Sequence, residues 1–341
     1  MKKKALFLAF VLLLFTACSS EQISEESKLD LEELTDHVYV DYDRTKYDNV
    51  SAPPIYYAEY IKPDDSVVAS LFVNPPKIYD NENPSYASDR EFENESEYGR
   101  CGSHGSVSYR VKNVTAAMNI YVVSEYCLEH NMSSVKEPDF MSLEDLYKKF
   151  DEDVHKFIDK YEIYEMTAFT ADKYGEIAAL TRPDDLEEDW YEPRDVYYIR
   201  ARQFVNEIPI FTGTYTTNSN VVPILSHHGA EIQACYTKNG LEYLSIFGGY
   251  KIGEEKPADG EFIDLKGAEQ IIRDYYDIPY PYHDTILYDC ALVYVGVFEG
   301  EKTVLTPAWE FYNDDGQGSW YDIGGPVIRI NAYTGDLMWG S

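Results

Sequence analysis

A chain of 341 residues with 61 acidic against 29 basic side chains carries a net charge of −32. Such a surface repels phosphate backbones and excludes nucleic acid as a ligand class. With 32 Tyr, 15 Phe and 4 Trp the chain still has material for a large core, which separates it from disordered acidic tracts.

Residues 1–17 read as a lipoprotein signal peptide. Lys2, Lys3 and Lys4 form the positive start and residues 5–15 an apolar core. That core is shorter than the roughly 20 residues a membrane span needs. It ends in Phe15-Thr16-Ala17-Cys18, similar to a bacterial lipobox with Phe15 where leucine is usual. The resemblance implies that Cys18 is acylated and becomes the mature N-terminus. Two or more acyl chains, at about 0.8 kcal/mol per buried CH₂, anchor lastingly. The expected location is the outer face of the cytoplasmic membrane. Removing residues 1–17 takes three lysines and no acids, leaving 26 basic and 61 acidic residues and a charge of −35.

Residues 18–36 read as an acidic tether, 37–185 as an N-terminal α+β domain and 186–341 as a C-terminal α+β domain. Residues 38–42 and 67–72 are strand-like, and 80–98 is an acidic stretch expected as a loop. The clearest helix is predicted over 141–161. Ser142 is its cap, Asp145 stands at the third position, and Leu143, Leu146, Phe150, Val154, Phe157, Ile158 and Tyr161 form its apolar stripe. Residues 196–205 are strand-like. Segments 231–236 and 243–250 flank Lys238-Asn239-Gly240, a strong hairpin signal.

The last quarter forms one packing unit. Asp264 caps a helix whose apolar face holds Leu265, Ala268, Ile271, Ile272 and Tyr275. Strands follow over 286–298, 303–312 and 327–332, the last closed by a turn with Gly335 where positive φ carries no steric penalty. Pro307 lacks an N–H, which predicts an edge or bulged strand. The residues Leu292, Tyr294, Pro307, Ala308, Trp309, Phe311, Asn331, Ala332, Thr334 and Gly335 give this stretch a pattern. It resembles the C-terminal part of extracytoplasmic proteins of Gram-positive bacteria: regulatory proteins of the YycI and YycH type, PepSY-like modules, and a group of clostridial lipoproteins. The resemblance implies a fold and a location outside the membrane, with Trp309, Pro307 and Gly335 in structural roles, and brings no catalytic residue. The fold class expected is α+β, with antiparallel sheets, helices packed on one face, and two domains.

Four cysteines remain after Cys18: Cys101, Cys127, Cys235 and Cys290. They allow three pairings. Chain proximity favours Cys101–Cys127 and Cys235–Cys290, and buried thiols are the competing reading. No zinc or CxxC spacing is present, and no metal or other cofactor is expected. Adjacent His227 and His228 would point to opposite faces of a strand, which makes a shared metal awkward. His104 near Cys101 reads as a loop histidine, and Asp314-Asp315 lacks the alternating ligands of a calcium loop. Trp190-Tyr191, Tyr280, Tyr282 and Trp320-Tyr321 are candidates for stacking against sugars or gripping a peptide, or else core and rim.

The function expected is a lipid-anchored extracytoplasmic binding or regulatory protein without catalytic activity, its partner a protein or a carbohydrate. The competing class is a cell-surface hydrolase working through acids that spacing does not single out. Cys18→Ala should release the protein from the membrane fraction and abolish lipoprotein processing. Full membrane retention of that variant on fractionation would refute the anchor.

Overall fold

The computed structural model describes residues 31–35, 38–80, 90–102, 104–112, 138–173, 194–211, 231–276, 285–299, 302–312 and 328–338, residue 103 lying outside them. In chain order the strands begin with β1 (Glu32–Thr35), β2 (Val38–Val40), β3 (Ile55–Tyr60), β4 (Lys77–Asp80), β5 (Arg90–Glu93) and β6 (Glu97–Gly102). Next come β7 (Ser106–Val111), β8 (Tyr161–Phe169), β9 (Val196–Val205), β10 (Ile208–Pro209), β11 (Glu231–Thr237) and β12 (Gly240–Phe247). β13 (Tyr250–Lys256), β14 (Thr285–Leu287), β15 (Asp289–Glu299), β16 (Lys302–Tyr312) and β17 (Ile328–Asn331) follow. The helices are α1 (Asp65–Ala69), α2 (Leu143–Val154) and α3 (Leu265–Tyr276), with a 3₁₀ turn at Arg44–Tyr47.

Two compact units divide the chain. One gathers Met1–Ser51, Phe262–Ala291 and Trp309–Leu337, the other Ala52–Glu261, Leu292–Ala308 and Met338–Ser341. This differs from the contiguous division at residue 185. The reason is a ladder: β8 pairs along its length with β9, so residues before and after 185 share one sheet.

The larger unit is built on a nine-stranded sheet in the order β10-β9-β11-β12-β7-β6-β5-β4, with β8 also on β9. One face is apolar. Tyr109, Ile199, Ala201, Ile232, Ala234, Leu244 and Ile246 pack there with Leu146, Phe150 and Val154 of α2. The helix starts where its cap dictates: Ser142 Oγ accepts from Asp145 N at 3.1 Å and donates to Asp145 Oδ2 at 2.7 Å. It stops at Val154 instead of 161. Phe157 and Ile158 are bonded back to Val154 O in a closing turn, and Tyr161 already belongs to β8. Ile158 nevertheless stays buried in this core, so its apolar spacing reported burial and not helix. Asp153 is also buried, and accepts from Tyr236 Oη at 3.0 Å.

At the far end of the sheet, Glu97 is buried and accepts from Asn94 Nδ2, Tyr109 Oη and the N–H groups of Val73 and Asn74. Burial alone would push this carboxyl up. The converging donors outweigh it and hold it below the usual carboxylate range. The hairpin β11–β12 turns through Lys238 and Asn239, with Gly240 at φ 103°. A second two-residue turn, Asn206-Glu207, has both residues at positive φ, as a type I′ hairpin turn requires.

The smaller unit holds α3 and the sheet β1-β2-β14, in which β1 runs antiparallel and β14 parallel to β2. Asp264 Oδ1 accepts from Gly267 N at 2.8 Å to start the helix. Arg273 Nε donates to Leu34 O at 2.9 Å, fixing α3 to β1. Glu269 is a junction that takes Tyr42 Oη at 2.8 Å and Arg44 Nε at 2.6 Å. Trp309 is fully buried. Its indole N–H donates to Ile263 O at 2.8 Å, and its ring meets Tyr47 edge-on at 5.1 Å and Phe262 at 6.4 Å. The ring therefore rests on the segment that leads into α3. Gly335 has φ 74°, and a Cβ there would sit 3.1 Å from Ile271 Cδ1.

Of the two positions its chemistry predicts, edge or bulge, Pro307 does not take the edge. β16 lies between β3 and β15, and Pro307 is buried within it. The registered pairs with β3 run only from Thr303 to Leu305, so the missing N–H falls beyond the end of that ladder. Cys290 is a buried thiol, so the pairing Cys235–Cys290 is not formed. Burial, with Asp289 and Glu269 adding to it, pushes this thiol up to about 12. Cys18 and Cys127 lie outside the described residues.

Trp309→Ala should cost about 3–5 kcal/mol, the range for emptying a large aromatic site in a core, and Trp309→Phe less. A melting curve of Trp309→Ala that overlays the parent would contradict the packing. Cys290 should resist iodoacetamide at pH 8 in the native protein and react fully in denaturant. Peptide mass spectrometry showing native alkylation at Cys290 would count against its burial.

Candidate functional site

Because side chains alternate across a strand, the sheet that buries Tyr109, Leu244 and Ile232 must turn their neighbours to the opposite face. The registers place those neighbours in two transverse rows. Arg100 lies opposite Ser108, Ser108 opposite Ser245, Ser245 opposite Gln233, and Gln233 opposite Arg200. In the adjacent row Tyr98 faces Arg110, Arg110 faces Tyr243, Tyr243 faces Cys235, and Cys235 faces Tyr198. The rows cross five strands, about 19 Å at the usual spacing between strands.

The two ends of this face are built differently. At the β8–β9–β11 end the charges are matched and shielded. Arg200 is buried and bonds Glu231 at 2.8 Å and Glu165 at 3.4 Å. Glu231 Oε1 also accepts from Gln233 Nε2 at 3.1 Å and Tyr164 Oη at 3.2 Å. Arg202 pairs with Glu162 at 3.1 Å, and both guanidiniums lie over the Tyr164 ring, at 5.2 and 5.7 Å. Burial, with the Glu231 charge, raises the Tyr164 hydroxyl well above the ordinary phenol range.

At the other end, where β5 adjoins β6, Glu91 stands opposite Arg100 and Glu93 opposite Tyr98. Arg100 is exposed, and Tyr98, Ser108, Arg110, Tyr243 and Ser245 are half-buried. The Arg110 guanidinium stacks on the Tyr98 ring at 5.1 Å. Tyr98 is held to Glu91, and burial with that neighbour raises its pKa. Glu93, the other carboxylate on β5 turned to this face, is taken by Lys112 Nζ at 2.5 Å. Among the described residues Arg100 and Arg110 make no ion pair. The other described arginines are all engaged: Arg44 with Glu32 and Glu269, Arg90 with Asp65 and Asp80, Arg194 with Glu242, Arg200 and Arg202 as above, and Arg329 with Glu310. Arg273 donates to a backbone carbonyl.

Cys235 is buried in the second row, and Cys101, on β6, packs against the opposite, apolar face. Cys101 also lines an open cleft of about 620 Å³ with Lys62, Asp64, Asp65, Ser66 and Arg90. His104 is exposed and meets the Tyr60 ring edge-on at 5.7 Å. Trp190, Tyr191, Tyr280, Tyr282, Trp320, Tyr321, His227, His228, Asp314 and Asp315 lie outside the described residues. The arginine–tyrosine patch was not singled out. Its signal was the strict alternation in Ser106-Val-Ser-Tyr-Arg110, which shows one apolar and one polar face but not which strands adjoin.

No protein-family model matches the chain, and no curated protein matches it either. Among solved structures it is similar to the crystal structure of an uncharacterized protein from Eubacterium rectale. The TM-score is 0.56 at 14% identity, over 91% of this chain and 93% of that one. At that identity the likeness is one of fold: a mixed α+β arrangement with antiparallel sheets and helices packed on one face.

Proposed function

We propose that the protein is a lipid-anchored extracytoplasmic binding protein, without catalytic activity, whose binding surface is the polar sheet face around Arg100 and Arg110. The observation that carries this reading is the pair itself. Among the described residues these two guanidiniums, on adjacent strands, make no ion pair, although Glu91 stands opposite Arg100 across the β5–β6 ladder. Hydroxyls and aromatic edges from Ser108, Ser245, Tyr98 and Tyr243 surround them, a mixture suited to gripping a polar ligand without reacting with it. The lipobox at Cys18 supports a place at the outer membrane face, with the acidic residues before β1 as a tether; Glu32–Thr35, counted with the tether by sequence, is instead a strand paired with β2. The smaller unit, with α3, Trp309 and the Gly335 turn, supports a YycI- or PepSY-like module there.

The full-length protein in detergent, applied to arrays of oligosaccharides and peptides, should retain a set of ligands. The double variant Arg100→Glu, Arg110→Glu should lose that set by at least tenfold in signal while melting like the parent. Identical retention profiles for the two proteins would overturn the assignment of this face.

A further inference from the structure

We infer that the outer edge of β4 is a docking site for an extended segment of a partner chain, which adds to the larger unit's sheet as one more strand. The inference goes beyond the face around Arg100 and Arg110, because the backbone of β4 carries it.

Among the described residues the sheet has two margins, and they differ. At one, β8 lies on β9 with a bulge between Ile163 and Glu165, and its last residues, Thr167, Ala168 and Phe169, are buried. Bulges and cover are the usual guards of an edge. At the other margin β4 has only β5 as a neighbour, pairs with it in unbroken register, and is exposed at all four residues. Ile78 and Tyr79 there are each 45% exposed, one on either face.

This edge is also held in place before anything binds. Glu97 accepts from Val73 N at 2.9 Å and Asn74 N at 3.4 Å, and Asn94 Nδ2 donates to Asn74 O at 2.8 Å. The lead into β4 is thereby fixed to β6 and to the turn between β5 and β6. A segment ordered in advance loses little freedom on binding. Backbone groups of β4 that face away from β5 supply the main-chain hydrogen bonds of strand addition.

The register selects the partner's side chains. Asp80 stands opposite Arg90, and Lys77 opposite Glu93. A strand antiparallel to β4 continues both alternations of charge with a basic residue opposite Asp80 and an acidic one opposite Lys77. Asp80 is 81% exposed and open to such a pair. Ile78 calls for an apolar residue across the ladder, and Tyr79 for an aromatic or β-branched one. Read along the partner, the order is basic, aromatic, apolar, acidic.

A second copy of this chain does not fit that order. The two-fold axis of an antiparallel β4 pair keeps each side chain on its own face of the joined sheet. Lys77 then faces Lys77 or Tyr79 of the other copy, never Asp80. Two chains at −32 also repel one another.

The experiment is fluorescence anisotropy on the full-length protein in detergent with labelled peptides. The probes are Thr-Lys-Tyr-Val-Glu-Thr, the charge-exchanged Thr-Glu-Tyr-Val-Lys-Thr, and the first peptide N-methylated on alternate residues in each of the two phases. The first should bind about tenfold more tightly than the charge-exchanged peptide. A paired strand turns the N–H groups of alternate residues to one side, so one N-methyl phase should abolish binding and the other keep it. The double variant Lys77→Glu, Asp80→Lys, melting like the parent, should reverse the preference between the two charged peptides. Asp80→Lys alone should weaken the first peptide by about threefold or more. The N-methyl comparison needs only the parent protein, so it decides even where a variant fails to fold. No binding of the first peptide, equal binding of the charge-exchanged one, or an equal effect of both N-methyl phases would overturn the inference. A dimer on sedimentation that the double variant dissolves would make a second copy the occupant and overturn it as well.

Discussion

The structure depends on one constraint: a strand has two faces, and across β7, β12, β11 and β9 the register keeps them separate. Val107, Tyr109, Leu244, Ile246, Ile232, Ala234, Ile199 and Ala201 are all buried on the side of α2. A slip of one residue would turn Arg110 of β7, Arg200 and Arg202 of β9, Gln233 of β11 or Ser245 of β12 into that core. The hairpin turn at Lys238-Asn239 and the β8 ladder on β9 set the alignment from two directions. The core thus dictates which residues reach the other face, and the patch exists as a consequence of packing.

The helices serve the same separation. α2 buries Leu146, Phe150 and Val154, and places Asp153 where it meets the Tyr236 hydroxyl. A buried carboxylate without a partner costs far more than one bonded to a neutral donor. Tyr236 and Lys156 satisfy it, as four donors satisfy Glu97 at the far end of the sheet. In the smaller unit Glu310 is fully buried against Arg329, and Tyr312 adds a hydrogen bond. Burial raises Glu310, and the guanidinium works against that rise. An acidic chain can form such cores only where each buried acid is given donors from another element.

Local chemistry was legible in the sequence where one residue decides one geometry. Ser142 and Asp264 cap their helices, and Lys238-Asn239-Gly240 turns a hairpin, because these side chains act within four residues of themselves. Boundaries were less legible where tertiary pairing competes. Tyr161 fits the helix stripe by spacing, yet β9 recruits it into β8. Domain limits were not legible, because the β8–β9 ladder joins residues on either side of 185 and the chain returns to each unit more than once. The candidate face was hidden for a related reason. Arg100 and Arg110 are each ordinary in their own strands, and only the register between β6 and β7 makes them a pair.

Magnitudes explain how such a pair is tolerated. Two unit charges about 7 Å apart repel by roughly 0.6 kcal/mol in water and by roughly 2.4 kcal/mol at the effective dielectric near a protein surface. Arg100 is exposed, which keeps the pair toward the lower value, and the Tyr98 ring under Arg110 returns about 0.5–1 kcal/mol. The unliganded patch therefore stands near balance. Glu91 opposite Arg100 and Glu93 opposite Tyr98 also set negative charge beside the two guanidiniums, and the hydrogen bond from neutral Tyr98 leaves Glu91 charged.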